Sequence, residues 1–100
     1  MLIDLHMHST ASDGAMKPSE LVRFCYESCG VRTMALTDHD TVAGLAQARR
    51  AAQHCGMRFI NGIEISSVWG RCSVHIVGLG VDDANVDFVA ATEDLCEKRD

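Results

Sequence analysis

Asp4-Leu5-His6-Met7-His8-Ser9-Thr10-Ala11-Ser12-Asp13-Gly14 follows a short apolar lead, Met1 to Ile3. The lead and the alternation behind it predict a strand from about Leu2 to Met7. A strand turns residues i and i+2 to one face. His6 and His8 then point the same way, with Asp4, while Leu5 and Met7 point into packing. Asp13 follows in a loop that ends at Gly14. Two imidazoles at a strand end with a carboxylate close behind read as half of a metal site, of a kind that suits zinc, manganese or iron. An H-x-H pair also occurs on ordinary half-exposed strands, so the remaining segments decide between the two readings.

Downstream of this stretch, Pro18 suits the first position of a helix and Glu20 falls in its first turn, near the positive end of the dipole. Leu21, Val22, Phe24, Cys25 and Cys29 form an apolar stripe at helical spacing, and Gly30 is a C-cap. Thr33 to Thr37 is a short buried strand that ends in Asp38-His39-Asp40-Thr41. Thr41 is predicted to cap a second helix with Leu45, Ala48, Ala52 and Cys55 on one face, closed by Gly56. A third strand runs from Arg58 to Ile65. A turn at Trp69-Gly70 leads to a fourth, Cys72 to Leu79, with Ser73, His75, Val77 and Leu79 on one face. A last helix begins near Asn85. The order β-α-β-α-β-β-α predicts an α/β domain built from parallel, right-handed βαβ units.

Composition bounds the function. The chain has 100 residues, 47% of them hydrophobic, and a single Pro, which describes one small globular domain. Its net charge is −5 and no more than two Lys or Arg stand adjacent, so neither duplex nucleic acid nor an anionic membrane is an expected partner. No apolar run approaches the ~20 residues of a membrane span, and the early Asp4 and His6 exclude a signal peptide. The five cysteines lie mostly in apolar patterns without a C-x-x-C, and read as reduced thiols in a cytoplasmic protein.

The chemistry-bearing residues fall at or just after strand ends: His6, His8 and Asp13, then Asp38 and His39, then Glu64, with His75 inside the fourth strand. A β/α barrel keeps its active site at the C-terminal strand ends. His39 stands between two acids, either of which could fix its tautomer as the outer partner of a metal-bound His does; Asp40 reads better as a loop residue. Glu64 is a lone acid in the apolar stretch Phe59 to Ile65, and burying it is costly without a compensating cation. His54, late in the second helix, is accounted for by the helix dipole and solvent.

Taken together, these segments resemble the polymerase and histidinol phosphatase (PHP) domain family. DLHMHSTASDG at Asp4–Gly14 is similar to its first motif and LTDHDT at Leu36–Thr41 to its second. GIEIS at Gly62–Ser66 is similar to its third, and HIVGLG at His75–Gly80 to the start of its fourth. The resemblance implies a distorted seven-stranded TIM-like (β/α) barrel, of which these residues are the N-terminal part. It also implies two or three divalent metal ions. His6 and His8 would hold one, Glu64 would bridge to a second bound by His75, and Asp13 with His39 would hold a third. Many members carry His at the position of Asp13. An acid there resembles the branch acting on nucleotide 3′,5′-bisphosphates and short RNA 5′ ends, and favours manganese over iron or zinc.

The implied activity is hydrolysis of phosphate esters through a metal-bridging hydroxide, with Asp38 as an outer partner. Ser9 and Thr10 would contact the phosphate of a small substrate, although they read equally well as loop residues. The family's later His and D-x-H ligands do not follow His75 here, so the chain is expected to be a fragment, or to be interrupted by an insertion after about residue 100. A non-catalytic PHP-like metal-binding module and an amidohydrolase-type hydrolase are the alternative readings.

Overall fold

The computed structural model describes residues 2–98. Its elements are β1 (Leu2–Asp4), α1 (Pro18–Cys29), β2 (Val31–Leu36), α2 (Leu45–Cys55), β3 (Arg58–Trp69), β4 (Cys72–Leu79) and α3 (Val86–Lys98), the order predicted. The strands form one sheet in the order β1-β2-β3-β4. β1 pairs parallel with β2, and β2 parallel with β3. β4 departs from the parallel alternation: it returns along β3 as an antiparallel hairpin, with Glu64 opposite Val77 and Ser66 opposite His75. The result is a curled α/β sheet, part of a barrel wall.

β1 ends three residues before the predicted Met7. The Asp4 carboxylate accepts a bond from the backbone N–H of His6 at 3.1 Å, which draws the chain out of regular pairing. Contact with β2 is nonetheless kept one step further on. The Thr37 N–H donates to the Met7 carbonyl at 2.8 Å, and the Met7 N–H donates to Thr37 Oγ1 at 3.1 Å. His6 and His8 therefore stand on an extended segment past the strand end. Met7 between them is buried as expected, whereas Leu5 is exposed.

α1 starts at Pro18 and stops where Gly30 adopts φ 72°, the left-handed cap that glycine accommodates without strain. Its inward face is Val22 and Cys25, while Phe24 and Cys29 of the predicted stripe face out. α2 begins at Leu45, later than a Thr41 cap would place it. Thr41 Oγ1 instead accepts the Ala43 N–H at 3.1 Å and closes a turn, and Gly44 occupies the cap position. β3 continues past Ile65 to Trp69, because an antiparallel partner lies opposite every residue of the extension.

The core lies between the sheet and the inner faces of α1 and α2, from Met7, Val22, Met34, Leu36, Leu45, Ala48 and Ala52. Burial of such side chains stabilises by about 25 cal/mol per Å² of apolar surface. Cys25 belongs to this core. Burial, with help from Cys29 and Asp4, pushes its thiol pKa up, and its Sγ lies 3.3 Å from Met7 Sδ. No disulfide forms among the described residues. No described helix is long and apolar enough to cross a membrane.

Candidate metal centre

Backbone pairing brings the second and third motifs together. The Glu64 N–H donates to the Asp38 carbonyl at 3.0 Å and the Asp40 N–H to the Glu64 carbonyl at 2.9 Å, so His39 and Glu64 form a parallel bridge beyond the end of β2. Strand alternation turns Ile63 into the core and Glu64 to the opposite face, where four imidazoles converge on it. One carboxylate oxygen, Oε1, lies 2.5 Å from His6 Nε2 and 3.3 Å from His8 Nε2. The other, Oε2, lies 3.0 Å from His75 Nδ1 and 3.6 Å from His39 Nδ1. The carboxylate thus divides between two histidine pairs.

Asp13 adds a second carboxylate. Its oxygens lie 3.2 Å from His39 Nε2 and 3.7 Å from His8 Nδ1. The rings of His8 and His39 stack at 4.3 Å, only 7° from parallel, with Asp13 at their edges. Three overlapping groups result, each with its donor atoms within 4.8 Å of one another: His6, His8 and Glu64; His8, Asp13 and His39; His39, Glu64 and His75.

The electrostatics suit cations. Glu64 is 5% exposed, and no Lys or Arg pairs with it among the described residues. Burial pushes its carboxyl pKa up. The bond from His6 and the charges of His39, His6 and His8 outweigh burial and hold it below the usual carboxylate range. His8 Nδ1 is buried with no hydrogen-bond partner, although it faces Asp13. A ring nitrogen left so is a lone pair available to a metal, or a donor at a cost of ~1–3 kcal/mol. Four imidazoles and two carboxylates are a nitrogen and oxygen set fitted to zinc, iron or manganese.

All six predicted ligands are thus brought to one place, while the predicted outer residues lie elsewhere or do other work. Asp38 faces away from the His39 ring, toward the loop. Its Oδ1 accepts the Ser9 N–H at 2.6 Å and the Ser12 hydroxyl at 2.7 Å, and its Oδ2 the Ser9 hydroxyl at 2.6 Å. Ser9 is fully buried, so its hydroxyl is committed to the loop and out of reach of a phosphate; Thr10 is exposed. His54 lies apart, lining a shallow cleft between α1 and α2 with Arg23 and Arg50. Sequence reasoning missed Ser66, whose hydroxyl lies 3.2 Å from His39 Nδ1 and 3.1 Å from His75 Nδ1. The signal was its position two residues after Glu64 on the same strand face. Asp40, read from the sequence as a loop residue, turns the chain with a φ of 54°, and its Oδ1 accepts the Ser66 N–H at 2.9 Å.

Comparison with known proteins agrees with this geometry. The chain is 46% identical to the 3′,5′-nucleoside bisphosphate phosphatase of Chromobacterium violaceum, covering 97% of this chain and 34% of that protein. It is 46% identical to a 5′-3′ exoribonuclease of Haemophilus influenzae, covering 96% of this chain and 36% of that protein. The chain therefore spans about a third of the length of these curated relatives. Among solved structures, a Bifidobacterium adolescentis protein provisionally named a metal-dependent phosphoesterase superposes with a TM-score of 0.82 at 32% identity. The superposition covers 92% of this chain and 32% of that one. The PHP domain family matches residues 4–92, which take in all six of the converging side chains, and this chain belongs to that family.

Proposed function

We propose that this chain carries the first part of the active site of a metal-dependent phosphoesterase, acting on nucleotide 3′,5′-bisphosphates or RNA 5′ ends. The observation that carries the reading is the Glu64 carboxylate, buried and shared between the His6/His8 and His39/His75 pairs, with Asp13 beside it. His6, His8 and Glu64 would hold one divalent cation, and His39, His75 and Glu64 a second. Asp13, with His8 and His39, would hold a third. The acid at position 13 makes that group harder and favours manganese there. Two curated relatives whose names give these substrates support the choice.

Bound divalent cations supply Lewis acidity, which offsets charge on a phosphoryl group and makes water nucleophilic near neutral pH. The residues of this chain do the rest. Glu64 keeps the two histidine pairs at fixed separation. Ser66, between His39 and His75, holds both rings in orientation. The half-exposed His6 and His75 leave the cluster open on the side from which a substrate enters. Thr10, exposed beside the cluster loop, is the candidate phosphate contact. The length of the relatives supports residues 1–100 as the N-terminal part of a longer PHP domain. Five cysteines without a disulfide among the described residues favour a cytoplasmic setting.

The test uses the full-length protein loaded with manganese, assayed on a nucleoside 3′,5′-bisphosphate, a 5′-phosphorylated oligoribonucleotide and an amide substrate. Phosphate release from the bisphosphate or mononucleotide release from the oligoribonucleotide is expected, falling at least 100-fold in Glu64→Gln and His75→Ala and unchanged in His54→Ala. A metal-loaded protein with no phosphoesterase activity supports a structural metal-binding module instead. Amide hydrolysis alone supports the amidohydrolase-type reading.

A further inference from the structure

His8, Asp13 and His39 form one of the three donor groups, and the chain neighbour of each is tied into a second cluster behind it. Ser9 follows His8, Ser12 precedes Asp13 and Asp38 precedes His39. The three neighbours meet at one point: Asp38 accepts the Ser9 N–H, the Ser9 hydroxyl and the Ser12 hydroxyl, all at 2.6–2.7 Å. Asp38 is 2% exposed, and no Lys, Arg or His pairs with it among the described residues. A carboxylate buried among neutral donors is costly to keep unless each oxygen is bonded, and here both are.

The rest of the loop reinforces the same point. The Ser9 carbonyl accepts the N–H of Ser12 at 3.0 Å and of Gly14 at 2.8 Å, and the Ser9 hydroxyl accepts the Ala11 N–H at 3.1 Å. Asp13 itself is 64% exposed, and its carboxylate has the two imidazoles as its ion-pair partners among the described residues. Its place opposite His39 is set through the backbone, by the Ser12–Asp38 bond that runs alongside the Asp13–His39 pair.

We infer that Asp38, Ser9 and Ser12 form a buried clasp that positions the loop ligand Asp13 against His8 and His39, and so sets metal affinity at that one group. The inference rests on the metal-centre reading above. It makes Asp38 a positioning residue that acts through the loop and not through the His39 ring. The other two donor groups, anchored on β3 and β4 through Glu64 and His75, do not contain Asp13, although each shares one histidine with its group.

The test is titration of metal-free, full-length protein with Mn²⁺ by calorimetry, for wild type, Asp38→Asn, Ser12→Ala and Ser12→Thr. Hydrogen exchange of the amides of residues 9–14 is followed in the absence of metal. Asp38→Asn sets an amide N–H₂ against a donor. Ser12→Ala removes one bond at a half-buried position where misfolding is not expected. Both are expected to weaken one class of Mn²⁺ site by about 10–100-fold, the range seen when outer partners of ligands are lost. The remaining sites, which share His8 or His39 but not Asp13, should weaken much less, and amide exchange in the loop should be faster. Ser12→Thr, which keeps the hydroxyl, should restore wild-type affinity. Equal loss across all classes, or no loss in folded Ser12→Ala, overturns the clasp while leaving the metal centre standing. A wild type that binds no Mn²⁺ overturns the metal centre and the clasp with it.

Discussion

Gly14 shows how tightly the loop between His8 and Asp13 is wound. A Cβ at this position would meet the His8 carbonyl oxygen and lie 2.8 Å from Ser9 Cα, both backbone atoms that cannot swing aside. Gly14→Ala is therefore expected to push residues 8 and 13 apart. The cost is roughly 1–3 kcal/mol of stability, measured by urea denaturation, and far-ultraviolet circular dichroism should be retained. Wild-type stability in this variant would mean that the loop yields where the structure shows it closed. At this scale the residues of the candidate site were legible, because His and acid at strand ends are conspicuous by type. Partners were less so. Period-two alternation says which way Ser66 and Glu64 face, but not that a hydroxyl will reach two rings on different segments. Asp38 illustrates the limit. The sequence places it beside His39, and only the folded loop shows that its carboxylate turns away toward Ser9 and Ser12.

Elements carry a different kind of information. Both α1 and α2 end where Gly30 and Gly56 adopt left-handed φ, as the sequence indicated, because a glycine after an apolar stripe is a strong local stop. The start of α2 and the end of β1 were misjudged, since each depends on a side-chain bond, Thr41 to Ala43 and Asp4 to His6, that competes with regular structure. The antiparallel return of β4 was legible only as a short turn at Gly70. α2 is also fastened to β3 by a contact no periodicity reveals. Arg49 donates to Asn61 Oδ1 at 3.0 Å and to Asp83 at 3.1 Å, while Asn61 donates to the Val81 carbonyl at 3.2 Å. Asp83 is largely buried and Arg49 partly exposed. Arg49→Ala should cost about 1–2 kcal/mol, the worth of charge-assisted bonds discounted for solvent. Chemical denaturation of Arg49→Ala, Asn61→Ala and the double variant should show a combined loss below the sum of the two. Strict additivity would mean the three side chains do not act as one fastening.

Across the whole molecule, the candidate ligands come from every strand of the sheet or the segment just beyond it. His6 and His8 follow β1, Asp13 lies in the next loop, His39 follows β2, Glu64 is on β3 and His75 on β4. The apolar core does not bind these tips together. Its side chains lie beneath the sheet against α1 and α2, and β4 leaves Val74, Ile76, Val77 and Leu79 exposed. The unfolded chain cannot assemble such a site, so metal that binds it should stabilise the entire fold. At a free manganese concentration 100 times the dissociation constant, that stabilisation is about 2.7 kcal/mol. With about 4–8 °C of Tm per kcal/mol in a domain of this size, the midpoint should rise by roughly 10–20 °C. Differential scanning calorimetry of residues 1–100 with manganese, against the same sample with a chelator, reads this directly. Glu64→Gln should lose most of the shift, because it removes the charge shared by two of the three donor groups. Metal binding needs its ligands deprotonated, so the shift should shrink as pH falls. Identical midpoints with manganese and with chelator at neutral pH would mean that the cluster does not hold metal in this part of the domain by itself.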